Sequence, residues 1–277
     1  MPTYLSPGIY TRETDFSFYV KQISTSSAAM VGVAEKGPIN KPVLVTSWEQ
    51  FINRFGSYIN ESYLAYAARA FFDNGGSVLY VTRIAHLTDP TDRDTLTALK
   101  SSIVLQNREA TPADALRIEA VNEGVWGDRL SVSIEDGSLD PANHFNLVVR
   151  HKGDVVEVFK DLSMDETLPN HVELAINDRS DFILVQDLAA ATGTPGDRPA
   201  LGVFTLSGGD NGLTDLADAD FIGDPSQHTG LYGFDEIDAL NLLMVPGVTT
   251  VPVINAGIAY AEGRKDLLFI ADTPMHL

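Results

Sequence analysis

The chain has 277 residues, 44% of them hydrophobic and 21% charged, and its 38 acidic residues against 19 basic ones give a formal net charge of −19. A reader of duplex DNA needs a basic stripe to neutralise phosphates, and the longest basic clusters here are pairs such as Arg264-Lys265, so direct nucleic-acid binding is disfavoured. With no cysteine, disulfides and thiol catalysis are excluded, and a reducing compartment suits the chain.

The length is sufficient for one large domain or two medium ones that bury roughly three quarters of the unfolded surface. No basic segment followed by an apolar run reads as a signal peptide, and the longest apolar candidate, Leu240 to Val245, suits a buried strand and not a bilayer span. The expectation is assembly in the cytoplasm with no membrane contact.

Residues 1–25 are punctuated by Pro2, Pro7 and Gly8 and otherwise favour extended backbone. Phe16, Phe18 and Val20 alternate, as on one side of a strand, and this segment has no hairpin half beside it to pair with. It is either an edge strand of its own domain or an arm that pairs with another chain.

From Ser26 to Arg83 the pattern reads strand, loop, short strand, helix, turn, longer helix, Gly-Gly turn and buried strand. The first strand, Ala28 to Val33, stops at the turn signal Glu35-Lys36-Gly37-Pro38. Ser47 is a good N-cap, with Gln50 three positions on to complete a capping box. Trp48, Phe51, Ile52 and Phe55 recur at helical spacing before Gly56. A second helix, from about Glu61 to Phe72, carries Leu64, Ala67, Ala68, Phe71 and Phe72 on a broad apolar face, and Val78 to Val81 then enter a sheet. Helices between apolar strands indicate an α/β layer.

After the polar linker His86 to Arg93, Leu96, Leu99 and Ile103 could line a short helix, although Ile103 to Leu105 could equally open a strand. Alternation at Leu116 to Ala120 and Leu130 to Ile134 predicts strands. Phe145 to Val149 and Val155 to Phe159 predict a hairpin across a four-residue connection, His151 to Asp154. A short helix around Asp165 to Ile176 and a strand at Phe182 to Val185 complete a strand-rich α+β module of residues 95–204, which closes in the Gly- and Pro-rich stretch Thr192 to Pro199. The α/β texture then returns, with a short helix at Asp235 to Leu240, a strand at Leu242 to Val245, a helix at Val253 to Glu262 and a strand at Leu267 to Ile270. The fold expected is an α/β core built from both flanks, residues 26–94 and 205–277, with the strand-rich α+β module inserted and an extended N-terminal arm of residues 1–25.

Chemistry-bearing patterns are sparse. Gly208-Gly209-Asp210-Asn211-Gly212 lacks the Gly-Lys-Ser/Thr ending of a phosphate loop and reads as a tight turn in left-handed backbone. Asp210, Asp215, Asp218, Asp220 and Asp224 miss the spacing of a helix-loop-helix calcium site. The six histidines form no close pair at zinc-ligand spacing, and no serine lies in a Gly-x-Ser-x-Gly elbow. Asp235, Glu236 and Asp238 are explained by the start of a helix, and Trp126 by an aromatic plug between glycines. No catalytic, cofactor or metal residue is assigned, and the chain is read as no enzyme.

Several of these segments, in order, resemble the contractile tail sheath family. They are Tyr4-Leu5-Ser6-Pro7-Gly8-Ile9-Tyr10, Val31-Gly32-Val33-Ala34-Glu35-Lys36-Gly37-Pro38, the Phe51 to Gly56 helix end, and Phe71 to Gly76 followed by Val81-Thr82-Arg83. Further on, Ala120 to Leu130 is similar to the first turn of that family's inserted domain, Leu206 to Gly212 to its return into the core, and Arg264-Lys265-Asp266 with Ala271-Asp272-Thr273-Pro274 to a strand end. The resemblance implies a structural subunit of a contractile bacteriophage tail or related injection system. Such subunits stack as hexameric rings in a helical assembly around an inner tail tube, and contract to drive the tube through a target envelope. It also implies baseplate and tail terminator proteins as partners, an outward-facing insert, assembly in the host cytoplasm, and a place in the tail of a virion or phage-like particle. Family members continue beyond the last strand seen here, which implies either an N-terminal fragment or a sheath divided with a second chain. On this reading Tyr10, Phe16, Phe18 and Val20 of the arm pair with a neighbouring subunit. Arg12, Glu13, Arg54, Arg69, Arg83, Asp235, Glu236 and Asp238 are then candidate interface charges. The competing reading is a soluble acidic adhesin or carbohydrate-binding module.

Overall fold

The computed structural model describes residues 27–188 and 197–273. The N-terminal segment, with Tyr10, Arg12, Glu13, Phe16, Phe18 and Val20, lies outside the described residues, as does most of the Thr192 to Pro199 stretch.

A five-stranded sheet takes strands from both flanks. β1 (Ser27–Gly32) pairs in parallel with β3 (Val78–Arg83) and with β11 (Leu242–Met244); β12 (Leu268–Ile270) lies parallel to β11, and β2 (Val43–Val45) runs antiparallel on β3. The resulting order is β12-β11-β1-β3-β2. All six residues of β1 are buried, because helices cover both faces of the sheet. Ala28 and Met30 face α1 (Trp48–Phe55) and α2 (Leu64–Asp73), joining Phe51, Phe55 and Leu64. Ala29 and Val31, one residue out of phase, face Leu231, Phe234 and, on α5 (Val251–Arg264), Val253 and Tyr260.

Helix α1 starts and stops near its expected signals. Ser47 Oγ accepts from the Gln50 amide at 3.2 Å. The returning arm of the expected capping box differs: Gln50 Oε1 accepts from the amide and hydroxyl of Thr46, one residue earlier. Helix α2 begins at Leu64, three residues later than expected, because Asn60 to Ser62 form a turn closed by the Ile59–Ser62 bridge.

Two further sheets use residues 102–205. β4 (Ser102–Gln106), β5 (Asp114–Ala120) and β9 (Ile183–Asp187) form an antiparallel sheet in the order β4-β5-β9. β6 (Leu130–Asp136), β7 (Phe145–His151), β8 (Asp154–Leu162) and β10 (Gly202–Thr205) form another in the order β10-β6-β7-β8. One core fills the space between them, with Leu116, Ile118, Trp126, Val132, Phe145, Leu147 and Val185 among its members, joined by α3 (Val172–Ile176) through Val172 and Ile176.

Four further expectations change. Leu96 to Ile103 form no helix: a 3-10 turn at Arg93–Thr95 precedes the strand alternative, β4. The β7–β8 connection has two residues, Lys152 and Gly153, since His151 pairs with Asp154. Both turn residues have positive φ, 55° and 94°, which suits the twist of the flanking strands and explains a glycine at the second position. Only the last turn of the helix expected at Asp165 to Ile176 exists, as α3. Asp235 to Leu240 are not helical: a 3-10 turn, Gly230–Phe234, ends at Asp235, so this carboxylate sits at the wrong end for a helix-start role. The short α4 (Asp218–Ile222) lies before that turn.

Candidate assembly surfaces

The two groups of sheets meet at the turn that follows β1. Glu35 Oε2 accepts from the Ser57 amide at 2.9 Å and Oε1 from Arg129 Nη1 at 2.7 Å. Burial alone would raise this carboxyl, but the Ser57 amide and the charges of Lys152 and Arg129 outweigh it and hold Glu35 below the usual range. Lys36 places its ammonium 5.5 Å from the ring centres of both Trp126 and Phe182, and burial lowers its pKa. Gly37 contributes its carbonyl to Arg83.

Arg83, expected among the exposed interface charges, is instead fully buried at the end of β3. Its Nη1 donates to the carbonyls of Gly37 and Glu123, both at 2.8 Å, and so joins the first turn of one half to the 123–129 turn of the other. Burial pushes this guanidinium down to about 10. The second crossing lies alongside: Asp128 Oδ1 accepts from Ser101 Oγ at 2.7 Å and from the Gly209 amide at 3.0 Å, and Asn211 Oδ1 accepts from the Val125 amide at 3.0 Å. Gly208 and Gly212 take positive φ, 85° and 63°, as the reading of that run as a tight turn requires.

The other candidate charges among the described residues are exposed. Arg54 faces Asp181 at 3.6 Å across a cleft between the halves. Arg69 bonds Asp73 at 3.2 Å and lies over the Trp48 ring at 5.6 Å. Asp235 accepts from the Tyr260 hydroxyl at 2.8 Å; that phenol is pushed up to about 12, first by burial and then by the Asp235 carboxylate. Arg264 clamps the same segment, donating to the carbonyls of Phe234 and Ile237 at 2.7 Å and to both oxygens of Asp266. Glu236 and Asp238 are solvent-exposed on it. Among the five aspartates considered as a calcium cluster, Asp220 is buried and spent on protein partners: His86 Nδ1 at 3.0 Å and the amides of Leu87 and Ala217, both at 2.9 Å. Among the described residues no three acidic or histidine side chains gather as a metal site, and no helix is long and apolar enough to cross a membrane.

Apolar surface is left open at the β12 end of the large sheet. Leu268 and Ile270 of that edge strand and Val251 and Ile258 of α5 are exposed. A helix that is apolar on its outer as well as its inner face is suited to a second covering layer. On the α1–α2 surface Tyr58, Tyr63 and Tyr66 form a partly exposed aromatic row next to Trp48. Sequence reasoning missed the roles of Glu35, Arg129 and Asp220, since the partners that join them to other segments lie 22 to 134 residues away; only the Ala217 amide, three residues before Asp220, is local.

Residues 25–84 match the family model described as "Tail sheath protein Gp18 domain III N-terminal region". A comparison with curated protein sequences gives no match. Among solved structures, the sheath tail protein Lin1278 of Listeria innocua is similar with a TM-score of 0.60 and 11% identity, over 90% of this chain and 48% of that one. The sheath tail protein DSY3957 of Desulfitobacterium hafniense is similar with a TM-score of 0.52 and 15% identity, over 94% of this chain and 50% of that one. At these identities the likeness is one of fold, and the chain spans about half the length of either protein. The matched segment supplies β1, β2, α1, α2 and β3, and over it the chain is similar to the N-terminal region of a tail sheath domain.

Proposed function

We propose that this chain is a structural subunit of a contractile tail sheath, polymerising around an inner tube and contracting to drive that tube through a target envelope. The match of residues 25–84, the segment around which the composite sheet is built, carries this reading. In it, residues 26–94 and 205–277 form the sheath core, residues 95–204 an outward-facing domain, and residues 1–25 an arm that adds a strand to a neighbour's sheet. The open apolar edge at β12 and α5 is where further sheath polypeptide packs, from the same or a second chain. Contraction is then a rearrangement of subunit surfaces with no chemical step, and small differences per subunit add over a cooperative polymer.

Removing residues 1–20 tests this directly. The truncated chain should keep its circular dichroism and thermal unfolding but form no tubes or rings by electron microscopy. Normal helical tubes from the truncated chain would overturn the arm assignment. A comparison of extended and contracted particles in which the five-stranded sheet itself refolds would overturn the proposed mechanism.

A further inference from the structure

The cleft bridged by Arg54 and Asp181 has a volume of about 720 Å³ and an apolar floor made by the half-buried Val121 and Phe182. It shares Pro38, Val121 and Asn122 with a second hollow lined by Arg93 and Lys100, so the two form one groove. Four cations line this groove, Lys36, Arg54, Arg93 and Lys100, against two carboxylates, Asp181 and Glu123. On a chain whose acids outnumber its bases two to one, that is a local inversion of sign. Leu44, 48% exposed on the edge strand β2, lies at its side.

A complementary feature stands elsewhere on the same chain. In the loop between β6 and β7, Leu139 is 85% exposed, more than any other large hydrophobic side chain among the described residues. The loop is held rigidly under this tip, since Asp161 Oδ1 accepts the amides of Ser138 and Leu139 at 2.6 and 2.9 Å. Around it stand Glu135, Asp136, Asp140 and Asp161 against the guanidinium groups of Arg108 and Arg198, a net negative surround. The loop cannot enter its own groove. Arg129, just before β6, bonds Glu35 beside the groove, whereas the loop leaves the far end of that strand, about 20 Å away at the rise of an extended chain.

We propose that the groove receives the Leu139 loop of a second copy of this chain, with Leu139 on the apolar floor and the loop carboxylates among the four cations. Groove and loop are different patches, so the contact is head-to-tail and propagates from copy to copy. It rests on the self-assembly reading above and gives that reading a specific contact outside the N-terminal arm.

The absence of cysteine makes the test direct. Leu139→Cys and Asn122→Cys variants of the full chain are mixed under assembly conditions and treated with a short bismaleimide, with Ser226→Cys in place of Asn122→Cys as the control. Cross-linked dimers from the 139–122 mixture but not from the 139–226 mixture are expected. In sedimentation at low salt, Leu139→Asp and the double variant Arg93→Glu/Lys100→Glu should each weaken association at least tenfold, with circular dichroism unchanged. Tubes or rings that assemble without 139–122 cross-links, or associate equally well in these variants, would overturn this contact and leave the assembly reading standing. A full chain that stays monomeric at all concentrations would overturn both.

Discussion

Replacing Arg83 by Met and by Ala separates the cost of burying a charge from the value of the joint it makes. Lowering the guanidinium from its usual 12.5 to about 10 corresponds to about 3 kcal/mol of burial cost at neutral pH. Against this stand two charge-assisted hydrogen bonds, to Gly37 and Glu123, each contributing about 1.5–3 kcal/mol. Met fills most of the volume and removes the burial cost, but leaves two carbonyls without a donor, so Arg83→Met should destabilise by only about 1 kcal/mol. Ala adds a cavity in a fully buried site, and Arg83→Ala should lose about 4 kcal/mol. Trp48 and Trp126 are the chain's two tryptophans, one in each half. Urea unfolding followed by each fluorophore alone, with the other changed to Phe, should give coincident midpoints for Arg83 and separated midpoints for Arg83→Ala. The burial cost is present while both folded and unfolded chains are protonated, and is relieved as pH rises from about 10 towards 12.5. Equal losses for Met and Ala, with coincident midpoints in both, would refute the argument that Arg83 joins the halves.

Glu35, held below the usual carboxylate range, contributes stability that is present above its unfolded pKa near 4.5 and is lost as pH falls through the lower folded value. In Glu35→Gln this acid-side loss should flatten, and thermal unfolding between pH 5 and 3 checks it, about 1–2 kcal/mol being expected from a partly buried pair. Asp220→Ala leaves the amides of Leu87 and Ala217 and the His86 ring without their buried acceptor. A loss of about 3 kcal/mol in chemical denaturation should follow, with Asp220→Asn intermediate.

Most of the α/β flanks was legible in the sequence because it is locally encoded. The 3.6-residue recurrence of Trp48, Phe51 and Phe55, the cap at Ser47, and the fully apolar run in β1 each state an element and its burial without reference to distant residues. The alternation at Leu116 to Ala120 and Leu130 to Ile134 did the same for the inserted strands. Local pattern failed where backbone follows its surroundings. Asp235 to Leu240 has a helical look, but Arg264 and Tyr260, 27 and 25 residues on from their partners, fix the Ile237 carbonyl and the Asp235 carboxylate in a non-helical path. The sequence also showed Arg83 as one more charge after a strand. Its neighbours Gly37 and Glu123 lie 46 and 40 residues away, and only the packing of β3 between the two halves buries it. The groove and the Leu139 tip were equally hidden, because sign inversion and exposure are properties of surfaces that exist only once distant segments share a boundary. The residues dictated most of the elements; which charges are spent inside the chain, and which surfaces are left open, was decided by tertiary structure, since pairing and burial depend on distances through space and not along the chain.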